Sequence, residues 1–258
     1  MQIFDYYPGT LPVILSIPHA GTYVPETILQ RFTPAAKQLP DTDWHVDSLY
    51  SFARDLGVHI LIATHSRYVI DLNRAPNEES LYPGQFTTGL CPTTLFDGQA
   101  IYREDMEPHH QDVQARIKTY WQPYHNQLQL LIDELKTKQR VILFDAHSIC
   151  SQVPKLFAGV LPSLNLGTAE GQSASQKLTA KLMNYCQTSP YSSVLNGRFK
   201  GGYITRHYGN PSQSVEAVQL ELAQFNYMEE SFPYRYNEVK AKELQKVLFA
   251  LLSILIDS

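Results

Sequence analysis

The sequence predicts a single α/β domain, residues 1–258, built on a mixed, mostly parallel β-sheet with helices on both faces. Two observations favour this fold class. Short apolar runs of strand length alternate along the chain with longer segments whose apolar residues have helical spacing. Strands separated in this way pair in parallel, because a parallel connection needs a crossover of about a dozen residues or more. No repeat, low-complexity tract or linker divides the chain.

The strands are predicted from runs rich in apolar and β-branched residues. Each run is four to six residues long, which is the usual length of a strand. Four runs are clear, and a fifth, at residues 68–72, is a further candidate. The clear ones lie at residues 13–17, 60–63, 141–144 and 215–220.

Four helices are predicted between and after these strands. The first has Asp41 or Asp43 as its N-terminal cap and ends at Gly57. The second contains Pro123, which must kink or break it because proline has no backbone N–H to donate. The four helices cover residues 43–56, 107–137, 173–186 and 238–256.

Two long segments, 75–105 and 187–213, match no regular element. Loops of this length inside a compact domain usually serve as lids or binding loops. We therefore expect both to contribute to a site, and we expect segment 75–105 to close over it.

Composition and charge exclude several classes of protein. A hydrophobic content of 43% and a charged content of 18% are typical of a soluble globular domain, and a net charge of −4 favours neither nucleic acid nor an anionic membrane. The N-terminus has no signal-peptide pattern, and the apolar run at 247–256 is too short to span a bilayer. Cys91, Cys150 and Cys186 share no metal-binding spacing and predict reduced thiols. We expect a cytoplasmic protein, monomeric or a small homo-oligomer, that acts on a small molecule.

Polar residues follow the predicted strands at equivalent positions. His19 follows the first strand, Asn73 and Arg74 follow the candidate strand 68–72, His147 follows the third clear strand, and Glu221 follows the last. In open α/β sheets ligands bind beyond the carboxyl ends of the strands, so these side chains are candidates for one site.

Two histidines and a carboxylate are a common ligand set for a catalytic zinc. His19 and His147 supply the nitrogens, and the carboxylate comes from Asp43 or Asp47, which lie four residues apart on one face of the first predicted helix. Asp43 is preferred, because it is nearer the helix start and can be aimed inward. Asp145, two residues before His147, is expected to accept the hydrogen of the second ring nitrogen.

The remaining candidates concern the substrate. A carboxylate buried at the end of a strand, such as Glu221, needs either a partner or a chemical role. Its role is proton transfer, or else it forms an ion pair with Arg74 or Arg206. Arginine binds carboxylates through two parallel hydrogen bonds, so Arg74 and Arg206 predict a substrate with two carboxylates.

Other interpretations remain open at this stage. His19 and His147 could simply form hydrogen bonds in a non-catalytic protein that binds a small acid. We expect the other histidines to form hydrogen bonds and to have no catalytic role. Ser148 could be the nucleophile of a serine hydrolase, although no Gly-x-Ser-x-Gly pattern surrounds it. The histidines expected to have no catalytic role include His59, His65, His109, His110 and His125.

Taken together, the motifs from about residue 10 to 230 closely resemble the N-formylglutamate deformylase family. They include "LSIPHAGTYVP", "DTDWHVDSLY", "SRYVIDLNRAP", "FDAHSI" and "VQLELAQFNYM". The resemblance implies hydrolysis of N-formyl-L-glutamate to formate and L-glutamate, the last step of a histidine degradation route. It also implies a distant relation to zinc carboxypeptidases and aspartoacylase-like enzymes, and therefore a zinc-carboxypeptidase-like fold. The same fold could act on an N-acetyl or N-succinyl acidic amino acid.

The resemblance also assigns roles to individual residues. It implies that His19 and His147 bind the metal, that Asn73 and Arg74 hold a substrate carboxylate, and that Glu221 is the general base and acid. One position departs from the carboxypeptidase pattern, which has a ligand glutamate three residues after the first histidine. Here that position is Thr22, so the carboxylate ligand must come from Asp43 or Asp47.

Overall fold

A seven-stranded sheet organises the computed structural model, which describes residues 2–77, 87–137 and 139–258. The strands lie in the order β1-β3-β2-β4-β7-β5-β6 across the sheet. In chain order they are β1 Phe4–Tyr7, β2 Val13–Ile17, β3 His59–Ala63, β4 Val141–Ile149, β5 Leu164–Gly167, β6 Ser193–Leu195 and β7 Val215–Ala223.

The middle of the sheet is parallel. Strands β3, β2, β4 and β7 run in one direction, whereas β1 is antiparallel to β3 and β5 is antiparallel to β7. Strands β5 and β6 are parallel to each other. The mixed, mostly parallel sheet predicted from the sequence is therefore confirmed.

Helices cover both faces of this sheet, as the alternation of buried side chains in the strands requires. Leu15, Phe144 and Val218 belong to the core under α2, α5 and α7, whereas their neighbours Ile14 and Leu143 belong to the core under α4 and α6. The α-helices are α1 Glu26–Leu29, α2 Val46–Leu49, α3 His110–Arg116, α4 Gln122–Lys136, α5 Gln176–Thr188, α6 Tyr203–Tyr208 and α7 Glu238–Ile256. Across the described residues, no helix is both long and apolar enough to cross a membrane.

The candidate strand at 68–72 is wrong, because this segment forms turns. Asp71 is the physical reason. Its side chain accepts a hydrogen bond from the backbone N–H of Asn73 at 2.8 Å, and its carbonyl accepts from that of Arg74 at 3.3 Å. A short acidic side chain that bonds the backbone two residues later competes with a strand ladder.

The helix predicted over 43–56 is much shorter than expected. Helix α2 is followed by a 3₁₀ helix, Ser51–Leu56, which ends at Gly57 with the left-handed φ of 75°. His45, with φ of 63°, turns the chain just before α2, so Asp43 lies outside the helix. The idea that Asp43 and Asp47 share one helix face is therefore wrong.

The long helix predicted over 107–137 is present but modified around Pro123. Helices α3 and α4 are joined by a π-helical turn, Ile117–Trp121, and Pro123 lies in the first turn of α4. The wider π-helical turn accommodates the loss of one backbone hydrogen bond, because proline has no N–H to donate. The prediction for the last helix is confirmed in full by α7, and that for 173–186 is shifted by a few residues to α5, whose cap is Ser175.

The two predicted loops differ in outcome. Segment 187–213 contains β6 and α6, so its interpretation as an irregular loop is wrong. Both elements are short, six residues at most, and too brief to give a clear periodic pattern. Within segment 75–105, residues 78–86 lie outside the described residues, and 87–105 contain no helix or strand.

Candidate metal centre and active site

Three of the predicted ligands lie together at the carboxyl end of β2 and β4. Nδ1 of His147 is 3.1 Å from Oδ2 of Asp43, and Nδ1 of His19 is 3.6 Å from the same oxygen. One ligand atom from each residue lies within 4.8 Å of the other two, and all three side chains are buried. The structure thus selects Asp43 as the partner of the two histidines, whereas Asp47 is exposed.

The sheet positions these residues through the alternation of strand side chains. Strand β4 continues to Ile149, beyond its predicted end at residue 144, because it pairs with β7 along its whole length. Asp145 and His147 are therefore two residues apart within one strand and point to the same face. His19 follows the neighbouring strand β2, and its carbonyl accepts a hydrogen bond from the backbone N–H of Asp43 at 3.1 Å.

The turn after His19 depends on a glycine. A Cβ atom on Gly21 would lie 2.4 Å from the carbonyl oxygen of His65, because the two backbone segments approach closely there. Any larger residue would push this turn away from its neighbour and displace His19.

A carboxylate orients each imidazole. Nε2 of His19 donates to Oδ1 of Asp71 at 2.8 Å, and Nε2 of His147 donates to Oδ2 of Asp145 at 2.8 Å. Carboxylates only accept hydrogen bonds when ionised, so Nε2 of each ring carries the hydrogen in these contacts, and Nδ1 of each ring faces Asp43. Asp145 was predicted in this position. Asp71 was not, because the sequence analysis placed it in a strand.

Arg67 links the two sides of this arrangement and was also missed. Its guanidinium donates to Asp71 at 2.7 Å, lies 3.5 Å from Oδ1 of Asp43, and stacks over the ring of Phe96 at 4.9 Å. The spacing of Arg67 and Asp71, four residues apart in "SRYVIDLNR", was the available signal. This spacing alone does not indicate a site, because only the turn directs both side chains towards the histidines.

The cluster fits a divalent cation. Nδ1 of His19 and Oδ1 of Asp43 are buried, and neither has a hydrogen-bond partner. Leaving such an atom unpaired costs about 1–3 kcal/mol, a cost that a cation accepting their lone pairs removes. Two imidazole nitrogens and one carboxylate oxygen are also a usual donor set for a catalytic metal.

Electrostatics keep the carboxylates of this site ionised. Burial alone raises the pKa of a carboxyl group, but the charge of His19 and hydrogen bonds from His147 outweigh burial and hold the pKa of Asp43 well below its usual value. The charges of His19 and Arg67 do the same for the pKa of Asp71. Two ionised carboxylates therefore lie beside the imidazoles at neutral pH, which favours a bound cation.

Glu221 lies directly beside His147 in the sheet register and is 7% exposed. Burial raises the pKa of Glu221 to about 8. Its carboxylate accepts a hydrogen bond from the side chain of Gln219 at 3.2 Å, and the ion pairs of the described residues do not include it. The alternative of a salt bridge to Arg74 or Arg206 is therefore wrong, and a buried carboxyl group that can exchange a proton near neutral pH faces the cavity.

A cavity of about 550 Å³, open to solvent, adjoins the cluster. Polar and charged side chains from several segments meet in its wall, and Thr87 and Thr88 contribute from the described end of segment 75–105. The wall includes His19, His147, Glu221, Asn73, Arg74 and Arg198.

The two predicted substrate residues on the turn after Asp71 both reach this cavity. Arg74 donates through Nε to the carbonyl of Thr88 at 3.0 Å, which orients its guanidinium. Asn73 donates to Asp145 at 3.3 Å, and its oxygen accepts from the backbone N–H of Ile204 at 2.8 Å. Asn73 therefore connects Asp145, the carboxylate that orients His147, to α6. Contact between Asn73 and a substrate stays a prediction.

Arg206 is not among the described residues that line this cavity. Its Nε donates to the carbonyl of Gly201 at 2.9 Å, so the side chain is directed back along α6. Arg198, from the segment after β6, lines the cavity instead. In the sequence, Arg198 lies between glycines in "NGRFKGG", and Arg206 also has glycines nearby. The sequence alone therefore did not distinguish the two arginines.

Ser148 has none of the partners that a catalytic serine requires. Its hydroxyl contacts the hydroxyl of Tyr227 at 2.7 Å and the side-chain amide of Gln224 at 3.3 Å, and neither group is a general base. Its backbone N–H donates to Asp43 at 3.2 Å, so Ser148 helps to hold the cluster. The serine-hydrolase interpretation is wrong.

A second cavity, of about 600 Å³ including open solvent, lies on the other side of Phe96 and Ile149. Three acidic residues, Asp41, Asp97 and Glu230, contribute to its wall, and no lysine or arginine among the described residues does. A negatively charged substrate is therefore favoured in the first cavity and repelled from the second.

Hydrolysis of an acyl bond requires a centre that binds the electrophile and a group that moves protons, and one cavity of this α/β sheet offers both. The mixed α/β sheet and this site are therefore what is expected of a hydrolase. The sequence model of the N-formylglutamate amidohydrolase family matches residues 11–228. The chain belongs to this family, as the motif resemblance predicted.

Individual relatives agree with this assignment. The N-formylglutamate deformylases of Pseudomonas putida and Pseudomonas aeruginosa are each 45% identical to the chain over 257 residues, which is 99% of this chain and 96% of each relative. The crystal structure of N-formylglutamate amidohydrolase from Ralstonia eutropha JMP134 has a TM-score of 0.83 to this chain, with 100% of both chains covered and 22% identity. At that identity the likeness shows the shared fold.

Proposed function

We propose that the protein hydrolyses N-formyl-L-glutamate to formate and L-glutamate. The observation that carries the proposal is the approach of His19, Asp43 and His147 to one point beside Glu221, in a cavity that also contains arginine side chains. Two N-formylglutamate deformylases of nearly the same length, 45% identical to the chain, support the choice of substrate. The reaction would be the last step of histidine degradation in the cytoplasm, and the three free cysteine thiols agree with a reducing compartment.

We propose zinc as the cation held by His19, Asp43 and His147. Imidazole nitrogen and carboxylate oxygen are ligands that zinc prefers, and three protein ligands leave a position open for reaction. When bound, the cation polarises the formyl oxygen and makes water more acidic. Asp71 and Asp145 keep both rings in the tautomer that presents Nδ1.

Glu221 moves the proton. Its carboxylate takes a proton from the water that attacks the formyl carbon, and the same proton passes to the amide nitrogen as the carbon–nitrogen bond breaks. The proton of the hydroxyl group left on the formyl carbon follows to the same nitrogen, so the products are formate and the ammonium form of glutamate, and Glu221 returns to its starting state. A buried carboxyl group whose pKa lies near neutrality is suited to both steps, because it neither holds nor releases a proton too strongly.

Arg74 binds a carboxylate of the substrate. Its guanidinium lines the cavity and is oriented by the carbonyls of Thr88 and Asn73, which are neutral acceptors that leave its positive charge in place. A planar fork held in this way suits two parallel hydrogen bonds to a carboxylate. The carboxylate does not react, but binding it positions the small formyl group. A single contact to the formyl group could not orient the substrate.

The decisive experiment measures formate release from N-formyl-L-glutamate by the purified protein. We expect turnover with added zinc, loss of turnover with a chelator, and recovery when zinc is restored. N-acetyl-L-glutamate and N-succinyl-L-glutamate test the acyl group, and faster cleavage of either would replace the formyl assignment. Activity that persists in chelator would contradict a metal-dependent reaction, and no hydrolysis of any of the three would contradict the proposed function.

A further inference from the structure

Strand β7 places a second polar side chain, that of Gln219, close to Glu221. The two residues are two positions apart in one strand, so their side chains point to the same face of the sheet. This is also the face of Asp145 and His147, their partners in the register of β4. Gln219 is 4% exposed and is not among the described residues that line the cavity, whereas Glu221 is. Gln219 is therefore near the reacting groups but is not placed to touch the substrate.

The side-chain amide of Gln219 has a fixed orientation. Its Oε1 accepts a hydrogen bond from the backbone N–H of Gly202 at 2.7 Å, and its Nε2 donates to Oε2 of Glu221 at 3.2 Å. A backbone N–H can only donate, so the oxygen of the amide must face Gly202. The NH₂ group, which only donates, must then face Glu221.

Two glycines allow the backbone N–H of Gly202 to reach this amide. Gly167 is the register partner of Gln219 in β5, and a Cβ atom on it would lie 2.7 Å from the backbone nitrogen of Gly201. A Cβ atom on Gly202 would lie 2.3 Å from Nδ2 of Asn73. A side chain at either position would therefore push the two backbone segments apart and move the N–H away from Gln219.

The carboxylate of Glu221 depends on this amide for its direction. A glutamate side chain rotates about several bonds, and among the described residues Gln219 is the one that hydrogen-bonds its carboxylate. Holding Oε2 leaves Oε1 available for proton transfer. A base must lie within about 2.6–3.2 Å of the group whose proton it takes, so a carboxylate that rotates freely spends less time in the reactive position.

We propose that Gln219 is a positioning residue for Glu221 and holds its carboxylate in the direction from which it exchanges a proton with water and with the amide nitrogen. The inference rests on the proposed function, because it requires Glu221 to move the proton during hydrolysis of N-formyl-L-glutamate. It connects the backbone at the start of α6 to the reacting carboxylate through one amide.

The test is a double-mutant cycle on kcat for N-formyl-L-glutamate. Gln219→Met keeps the length of the side chain and removes both hydrogen bonds. We expect kcat to fall by about 10-fold, with KM changed by less than about threefold and one zinc per chain retained, because the lost contact is to the base and not to substrate or metal. In a Glu221→Gln background the same substitution should change kcat by less than about twofold, since no base remains to be positioned.

Two further variants complete the cycle. Gln219→Glu can still accept the hydrogen bond from Gly202 but has no amide hydrogen for Glu221, so its kcat should also fall by about 10-fold or more. Gln245→Met is the matched control, because it makes the same substitution at a glutamine of α7 that donates to the carbonyl of Leu49 at 3.0 Å. It should keep the wild-type kcat.

The outcomes separate the inference from the proposed function. Failure of the wild-type protein to hydrolyse N-formyl-L-glutamate would overturn the proposed function and the inference with it. With an active wild type, an unchanged kcat in Gln219→Met or Gln219→Glu would overturn the inference alone. An equal fall in kcat with and without Glu221 would do the same, because Gln219 would then only support the fold. If Gln219→Met does not fold, Gln219→Glu provides the same comparison, since it keeps the bond to Gly202.

Discussion

Each nitrogen of His19 has a separate task. Nε2 donates to Asp71, whereas Nδ1 is buried, has no hydrogen-bond partner among the described residues, and lies 3.6 Å from Oδ2 of Asp43. Nε2 of His147 donates to Asp145 in the same way, but its Nδ1 lies within hydrogen-bond distance of Asp43, at 3.1 Å. Both histidines could be predicted from the sequence as candidate ligands, but the hydrogen bonds that orient their rings come from carboxylates that the sequence pattern alone did not place.

Asp71 should matter for metal affinity although it is not one of the three proposed ligands. Asp71→Asn removes the charge that fixes the Nε2 hydrogen of His19 and that pairs with Arg67. We expect zinc affinity to fall by about 10–100-fold, measured by competition with a chromophoric chelator. Asp47→Asn, at an exposed position four residues after the proposed ligand Asp43, is the control and should bind zinc normally. Equal affinities for Asp71→Asn and wild type would contradict the orienting role.

Glu221 should affect turnover without affecting metal content. Glu221→Gln keeps the shape and the hydrogen bonding of the side chain but can no longer accept a proton. We expect kcat for N-formyl-L-glutamate to fall by about 10²–10⁴-fold while one zinc per chain is retained, measured by steady-state kinetics and elemental analysis. Wild-type kcat in this variant would remove Glu221 from the reaction, and loss of zinc would make it a ligand.

Helix α4 anchors the turn that carries Asn73 and Arg74. His125 donates through Nε2 to the carbonyl of Leu72 at 2.8 Å, and Trp121 donates to the carbonyl of Arg74 at 3.0 Å. These two contacts, one on each side of Asn73, hold the irregular turn against the helix. The sequence predicted the helix and selected Asn73 and Arg74 as site candidates, but it did not predict that the helix holds the turn.

The burial of His125 makes the stability of this element dependent on pH. Burial lowers the pKa of His125 to about 3, whereas its value in the unfolded chain is about 6.5. Between these values the unfolded chain binds a proton that the folded chain does not, so stability falls as the pH falls below about 6.5. From pH 7 to pH 5 this one group should cost about 2 kcal/mol.

Urea unfolding of the wild type and of His125→Gln, at pH 7 and at pH 5 with chelator present, measures this effect. Glutamine does not titrate, so the variant should lose about 2 kcal/mol less than the wild type between the two pH values. Because every other titrating group is common to both proteins, the difference isolates His125. An identical pH dependence would show that His125 is protonated in the folded state.

At the scale of the whole molecule, the parallel middle of the sheet brings distant residues together. Strands β2, β4 and β7 are neighbours in the sheet although more than 100 residues separate the first from the second. A metal bound to His19, Asp43 and His147 would therefore connect segments that the unfolded chain holds far apart. Binding of the metal is then coupled to the folding of the entire sheet.

Zinc should accordingly raise the thermal stability of the protein. At a free zinc concentration about 100 times the Kd, the folded state gains about 2.7 kcal/mol, which for a chain of this size corresponds to a rise in Tm of about 5–10 °C. Scanning calorimetry with chelator and with buffered zinc measures it. His147→Ala, which lacks one ligand, should show a much smaller rise. An equal Tm in both conditions would contradict coupling between metal and fold.

The sequence by itself determined the residues that carry local chemistry or strong periodicity. Helix α7, strand β2, the mixed parallel sheet, and the candidates His19, His147 and Glu221 all follow from patterns a few residues long. Such patterns are readable because strand and helix periods act on neighbours in the chain.

Only the tertiary structure decided which side chains meet. It chose Asp43 over Asp47, placed Asp71 and Arg67 beside the histidines, and exchanged Arg206 for Arg198 in the cavity wall. The direction of a side chain in a turn depends on the segments packed against it. Those contacts come from residues distant in sequence, so the short patterns that predict strands and helices hold no information about them.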